Sequence, residues 1–226
     1  MTQILILPVL LLLTSFAFSP MSQTIELAEG SKQVQYLVDN PTSEPMAVEI
    51  ALKERIQKAD GTEETPPTKD LAAFPPQLII PPKEKRSIRV TFMGTKPAIE
   101  KAYRVVAEQL PLEVDGKKRK GSGIKMLLKY VAALYVNPGD TSPILVVTVI
   151  ENKTELKLEV ENKGSMHAPL TKPVLILVKG DKKVSLKGDQ LKGLAGENLL
   201  AGVKRVFTVP GVKDVDSSFT GTLKVE

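Results

Sequence analysis

A chain of 226 residues with a formal charge of +5, no cysteine and a single histidine excludes several classes at once. No disulfide can staple it, a Cys/His metal centre lacks its ligands, and stability must come from burying its hydrophobic 42%. Aromatics are only 4%, so the cores rest on Val, Leu, Ile and Ala, and the length suits two β-sandwiches of about 100 residues each.

The first seventeen residues read as an export signal. Residues 4–13 are apolar and broken only by Pro8, and Thr14-Ser15-Phe16-Ala17 closes the run. The run is short for a membrane span and ends in small residues. A cut after Ala17, with Ser15 and Ala17 at the small-residue positions, is expected to leave a mature chain starting at Phe18. Residues 1–13 hold no Lys or Arg, which leaves a retained anchor as the alternative. No second run of spanning length follows, so no integral span is expected in the mature protein.

Strand-like segments then recur with turn chemistry between them. Residues 18–27 are extended, with Pro20 early, and 33–38 follow a Glu29-Gly30-Ser31 turn. In 46–55, Met46, Val48, Ile50 and Leu52 alternate with Ala47, Glu49, Ala51 and Lys53. Residues 57–72 are polar and contain proline, and read as a long loop. Phe74-Pro75-Pro76 and Pro81-Pro82 bracket a short strand at 77–80, and 86–92 alternates again. Residues 96–103 could form one helical turn before a strand at 102–110. The segment Asn137-Pro138-Gly139-Asp140-Thr141-Ser142-Pro143 is the best linker. Beyond it, strands are expected at 144–151, 155–161, 174–179, 183–186, 205–209 and 221–226. The expected architecture is all-β: a signal over 1–17, a first domain over 18–137, a linker over 138–143 and a second sandwich over 144–226.

The most informative run is 121–138. Ile124, Met126, Leu128 and Tyr130 alternate with Lys125, Leu127, Lys129 and Val131. A strand sends successive side chains to opposite faces, so the first set forms one apolar stripe. The basic loop Lys117-Lys118-Arg119-Lys120 leads into it. Such a strand is either an ordinary sandwich strand with one face in the core, or one that can be lent to an incomplete sheet in a partner.

Catalytic chemistry is missing. His167 sits in Gly164-Ser165-Met166-His167-Ala168, which reads as an exposed turn, and no Gly-x-Ser-x-Gly elbow is present. Glu63-Glu64 falls in the long loop and reads as solvated. No Gly-rich phosphate loop precedes a helix. The Lys117–Lys120 run lacks aromatics and reads as a solvated tip rather than a nucleic-acid site, and the export signal also argues against nucleic acid as a partner. The chain is expected to be neither an enzyme nor a cofactor carrier.

The serial pattern resembles the periplasmic chaperones of chaperone–usher pilus assembly. The resembling stretches are residues 18–27, Pro75-Pro76-Gln77-Leu78-Ile79-Ile80-Pro81-Pro82 with 86–90, Ala102-Tyr103-Arg104-Val105-Val106-Ala107-Glu108-Gln109-Leu110-Pro111, and 124–136. The second half is similar only loosely, through 156–164 and 200–207. The resemblance implies two immunoglobulin-like sandwiches at an angle with a cleft between them. It implies periplasmic location in a Gram-negative type of cell, with pilin subunits and an outer-membrane usher as partners. It also implies donation of the last first-domain strand to a pilin subunit that lacks a strand of its own. The donor residues would be Ile124, Met126, Leu128 and Tyr130. The family's Arg and Glu that brace the strand ends near the cleft correspond to Arg89 and Glu100. Its usual anchor for the subunit's terminal carboxylate, an Arg early in the first strand and a Lys late in the donor strand, has no counterpart: 18–27 and 131–136 hold no basic residue. That points to a divergent branch, with Arg89, turned outward by the core-facing Ile88 and Val90, as the first candidate and Arg104 or Lys129 as the others. The competing reading is an exported two-domain Ig-like adhesive or structural module, which would bury the stripe or bind through its loops.

Overall fold

Period-two burial builds the first domain. The computed structural model describes residues 16–112, 127–152 and 155–225. Eleven strands form this domain: β1 (Ala17–Ser19), β2 (Ser22–Glu26), β3 (Gln33–Asp39), β4 (Met46–Glu54), β5 (Ile56–Gln57), β6 (Glu63–Glu64), β7 (Leu71–Phe74), β8 (Gln77–Ile80), β9 (Lys85–Phe92), β10 (Lys101–Leu110) and β11 (Lys129–Asn137). Nine of them pair as a four-stranded sheet, β1-β3-β9-β7, and a five-stranded sheet, β2-β11-β10-β4-β8, and β5 pairs with β6 apart from both. Val48 and Ile50 of β4, Ile88 and Val90 of β9, Tyr103 and Val105 of β10, and Leu134 and Val136 of β11 fill the space between the sheets. At about 25 cal/mol per Å² of apolar surface, burial of this kind is the main stabilising term, in the absence of disulfides.

The N-terminal strand is split between the sheets. β1 pairs antiparallel with β3, and β2 pairs parallel with β11. Pro20 lies at the break, where its missing N–H suits a change of partner.

The second domain contains β12 (Leu145–Asn152), β13 (Leu156–Asn162), β14 (Ala168–Pro169), β15 (Val174–Lys179), β16 (Lys182–Lys187), β17 (Asn198–Leu199), β18 (Lys204–Val209) and β19 (Thr220–Lys224). Six of them form one sheet, β16-β15-β19-β12-β13-β18, and β14 and β17 form a small second one. The core joins Leu156, Leu158, Leu175 and Leu177 of the large sheet to Leu170, Leu191, Leu194, Leu199 and Phe219 from the segments over it. β11 and β12 belong to different sheets.

Two local expectations are corrected. Residues 57–72 are not one loop: β5 and β6 pair as a hairpin, Ile56 with Glu64 and Gln57 with Glu63, and β7 begins at Leu71. Asp60 makes the turn by accepting the Thr62 N–H at 2.9 Å, and Gly61 supplies the positive φ of 87°. Residues 96–103 form no helical turn; the strand β10 starts at Lys101, and helix in the described residues is limited to the 3-10 turns Leu27–Glu29 and Gly188–Leu191.

Candidate functional site

β11 is paired on both sides over only part of its length. Its pairing with β10 runs from Val136 opposite Lys101 to Lys129 opposite Glu108. β2 covers the other edge only from Ala133 to Asn137. Among the described residues, 127–132 therefore present an edge that carries no strand. The cause is the sheet switch at Pro20, which leaves β1 on the opposite sheet. An uncovered edge of backbone N–H and C=O groups is a template for an added strand.

The side chains along this edge divide by face. Leu127 and Val131 point outward, each 43% exposed, with Lys129 between them paired to Glu108 at 3.0 Å. Leu128 and Tyr130 are half-buried and pack against the first-domain core. The Tyr130 hydroxyl donates to the Phe16 carbonyl at 2.6 Å, and the two rings meet edge to face with centroids 4.8 Å apart. Ile124 and Met126 lie outside the described residues, as does the basic run 117–120. Phe16 itself is 1% exposed, and Ala17 pairs with Asp39. A cut after Ala17 would remove both, together with the acceptor of the Tyr130 hydroxyl.

The domains meet at the other end of β11. Tyr135 projects from the outer face of the five-stranded sheet and clusters with Ala102, Leu200 and Val203. Its ring stacks on His167, and its hydroxyl accepts from Asn198 Nδ2 at 2.7 Å and Arg55 Nη1 at 3.3 Å. His167 is thus not an exposed turn residue. Its Nδ1 lies 2.7 Å from Glu100 Oε1, which also accepts the His167 backbone N–H at 3.0 Å. Glu100 has only 2% of its side chain exposed, and its partner is this histidine of the second domain rather than Arg89. Arg89 is exposed on the other sheet, opposite Gln35 and Phe74, and makes no ion pair among the described residues.

A second polar cluster stands on the same outer face. Glu63 accepts from Arg104 Nε at 3.2 Å and Nη2 at 2.7 Å, and from Arg55 Nε at 2.7 Å. Side-chain exposure is 8% for Arg55, 19% for Arg104 and 23% for Glu63, so the expectation of a solvated Glu63 is overturned. Burial pushes the Glu63 carboxyl up, but the hydrogen bonds from Arg55 and Arg104 outweigh it and leave it below the usual carboxylate range. The β5–β6 hairpin that carries Glu63 also reaches the second domain. Val206 donates its N–H to the Ala59 carbonyl at 3.0 Å, and Gln57 bonds both Asn198 and Leu200. Gly61 packs so tightly on Arg205 that a Cβ there would stand 2.2 Å from a guanidinium nitrogen. Neither Arg55, Glu63, Tyr135 nor His167 carries a local sequence signal for these partnerships.

The family model of the pili and flagellar-assembly chaperone, PapD N-terminal domain, matches residues 17–142. Among solved structures, the class 5 fimbriae chaperone CfaA is 16% identical with a TM-score of 0.64, over 94% of this chain and 99% of that one. A chain of the CsuC–CsuE chaperone–tip adhesion subunit pre-assembly complex from Acinetobacter baumannii is 18% identical with a TM-score of 0.66, over 93% and 98%. A chain of the Salmonella enterica SafA pilin–SafB chaperone complex is 16% identical with a TM-score of 0.57, over 95% and 97%. At these identities the likeness establishes the two-domain fold. No curated protein sequence matches the chain.

Proposed function

The chain belongs to the family of pili and flagellar-assembly chaperones, and from that premise we propose that it lends the open edge of β11 to pilin subunits. In this reading the protein is exported to the periplasm, holds subunits there, and delivers them to an outer-membrane usher. The observation that carries the reading is the edge at 127–132, on which no strand lies among the described residues, beside half-buried Leu128 and Tyr130. A partner strand would gain backbone hydrogen bonds from the edge. Ile124, Met126 and Leu128 would enter the partner's groove, each contributing about 1.5–3 kcal/mol when fully buried. Tyr130 would close the boundary between that groove and the chaperone's own core.

Register supports one of the three candidates for the carboxylate anchor. A strand added parallel to β11, in line with β2, must end where β2 begins, at Ala133 opposite Ser22. Arg104 lies directly across from Ala133 on β10. Lys129 stands at the far end of the edge and is paired to Glu108, and Arg89 belongs to the other sheet. This register supports Arg104, with Arg55 beside it, as the anchor.

The test is co-expression with a pilin subunit encoded beside this chain. Met126→Ser with Leu128→Ser should abolish subunit capture while circular dichroism still reports a folded chaperone. A folded double variant that captures subunit at the normal level would overturn donation by this strand.

A further inference from the structure

We infer that Glu63 is a built-in competitor for the subunit's terminal carboxylate, occupying the Arg55–Arg104 pair in the free chaperone and leaving it when a subunit docks. The inference rests on the reading of Arg104 as the anchor. Arg104 donates to both Glu63 oxygens, from Nε to Oε2 at 3.2 Å and from Nη2 to Oε2 at 2.7 Å and Oε1 at 3.0 Å, and Oε1 also accepts from Arg55. This two-point grip is the geometry in which a guanidinium takes a carboxylate of any origin. A subunit carboxylate arriving at Arg104 meets donors already in use.

The need for such a residue follows from the surroundings. Arg55, just past the end of β4, and Arg104 on β10 are two like charges with little solvent, both bound to the same carboxylate. Left unpaired they would repel each other and lose hydration without compensation. Glu63 neutralises one of the two charges in the free protein. Replacing one carboxylate by another leaves the number of ion pairs nearly unchanged, so the subunit is held without the full strength of two unengaged arginines. Release is then the reverse exchange, with Glu63 returning as the subunit carboxylate departs.

Glu63 can make this exchange because of where it sits. It lies on a strand of two residues in a hairpin, whereas Arg104 stands on the ten-residue β10 and Arg55 at the junction of β4 and β5. Its own pairing is a single short ladder with Ile56 and Gln57. The hairpin tip is held separately by the second domain, through Ala59 and Gly61. Movement of the Glu63 side chain therefore leaves the strand framework of β4 and β10 in place.

The experiment measures how fast a labelled subunit leaves the purified co-expressed complex in the presence of excess unlabelled chaperone. It compares the wild type, Glu63→Gln, Arg104→Ala and the double variant, each checked for its melting temperature. Arg104→Ala should speed release. Glu63→Gln should slow it by at least about fivefold, the lower end of coupling between linked sites. The gain from Glu63→Gln should vanish in the Arg104→Ala background. If Glu63→Gln proves unfolded, Glu63→Asp keeps the charge with a shorter reach and should slow release by a smaller factor. Unchanged or faster release from folded Glu63→Gln, with Arg104→Ala still harmful, overturns the competitor and leaves the anchor standing as a pair braced by Glu63. Normal release from Arg104→Ala overturns the anchor and the competitor together.

Discussion

Tyr135 on the last strand of the first domain lies flat on His167 of the second, with ring centroids 3.9 Å apart and planes inclined by 5°. The same imidazole meets Glu100, whose carboxylate is almost wholly withdrawn from solvent. One histidine thus holds two first-domain residues. His167→Ala should cost about 1–3 kcal/mol, chiefly by leaving the Glu100 carboxylate short of a partner. Calorimetry should show one merged unfolding transition separating into two as the domains uncouple. A single transition at an unchanged temperature would show that the stack contributes nothing to their coupling.

Tyr130 reports on the N-terminus of the mature protein. If Phe16 is retained, Tyr130→Phe removes one hydrogen bond to its carbonyl and should cost about 0.5–1.5 kcal/mol by urea denaturation. If export removes residues 1–17, the acceptor is gone and the same variant should be neutral. N-terminal sequencing of the protein recovered from the periplasm identifies which case applies, and the two measurements must agree.

The two faces of the open edge should respond differently to substitution. Leu128 is half-buried against the chaperone's core, so Leu128→Ala should lower its stability by about 1–2 kcal/mol, less than a fully buried leucine would. Subunit capture should fall further than that loss explains. Val131, 43% exposed on the opposite face, should tolerate serine with little change in melting temperature or in capture. Equal loss of capture from both variants would contradict the assignment of faces.

Acid should weaken the first domain through Asp70 and Glu63. Asp70 accepts from the Tyr103 hydroxyl at 2.8 Å and from Lys101 at 3.0 Å, and these contacts hold its carboxyl below the usual range. A group whose pKa is lower folded than unfolded binds fewer protons in the native state, so stability rises with pH through its titration. The contribution is complete above about pH 5 and is lost as pH falls below about 4, through the lowered folded value. Denaturant melts across this window should show a shallower acid limb for Asp70→Asn than for wild type. An identical limb would show that Asp70 has no part in it.

Gly164 is where the second domain receives the linker. A Cβ at this position would stand 2.2 Å from the Ser142 carbonyl oxygen and 2.4 Å from the Ile144 nitrogen, both backbone atoms that cannot swing aside. Gly164→Ala should destabilise by about 1–3 kcal/mol or more, the range for forced overpacking. A thermal melt resolves the loss, and an unchanged melting temperature would mean the linker has room to shift.

Most of the strands were legible because alternation is a local property. Met46 through Leu52, Ile88 through Phe92 and the prolines around Gln77–Ile80 carry their own signals, and β4, β9 and β8 form there. The β5–β6 hairpin was not legible, because strands of two residues are too short to show a period. The family resemblance was legible too, as a series of first-domain segments in order, and the matching family model covers residues 17–142.

Alternation and turn chemistry alone carried the all-β class, the two series of strands and the apolar stripe on either side of Tyr130. Strand pairing was needed to show which face of that alternation meets the chaperone's own core, and which part of the β11 edge carries no strand among the described residues. The tertiary structure alone brought Glu63 to Arg104, 41 residues away in the chain, and Tyr135 to His167 across the domain boundary. The physical reason is one of range. Side-chain direction along a strand follows from neighbours in sequence. A charge pair or a ring stack depends on which strands the topology sets side by side, and on the register in which they lie.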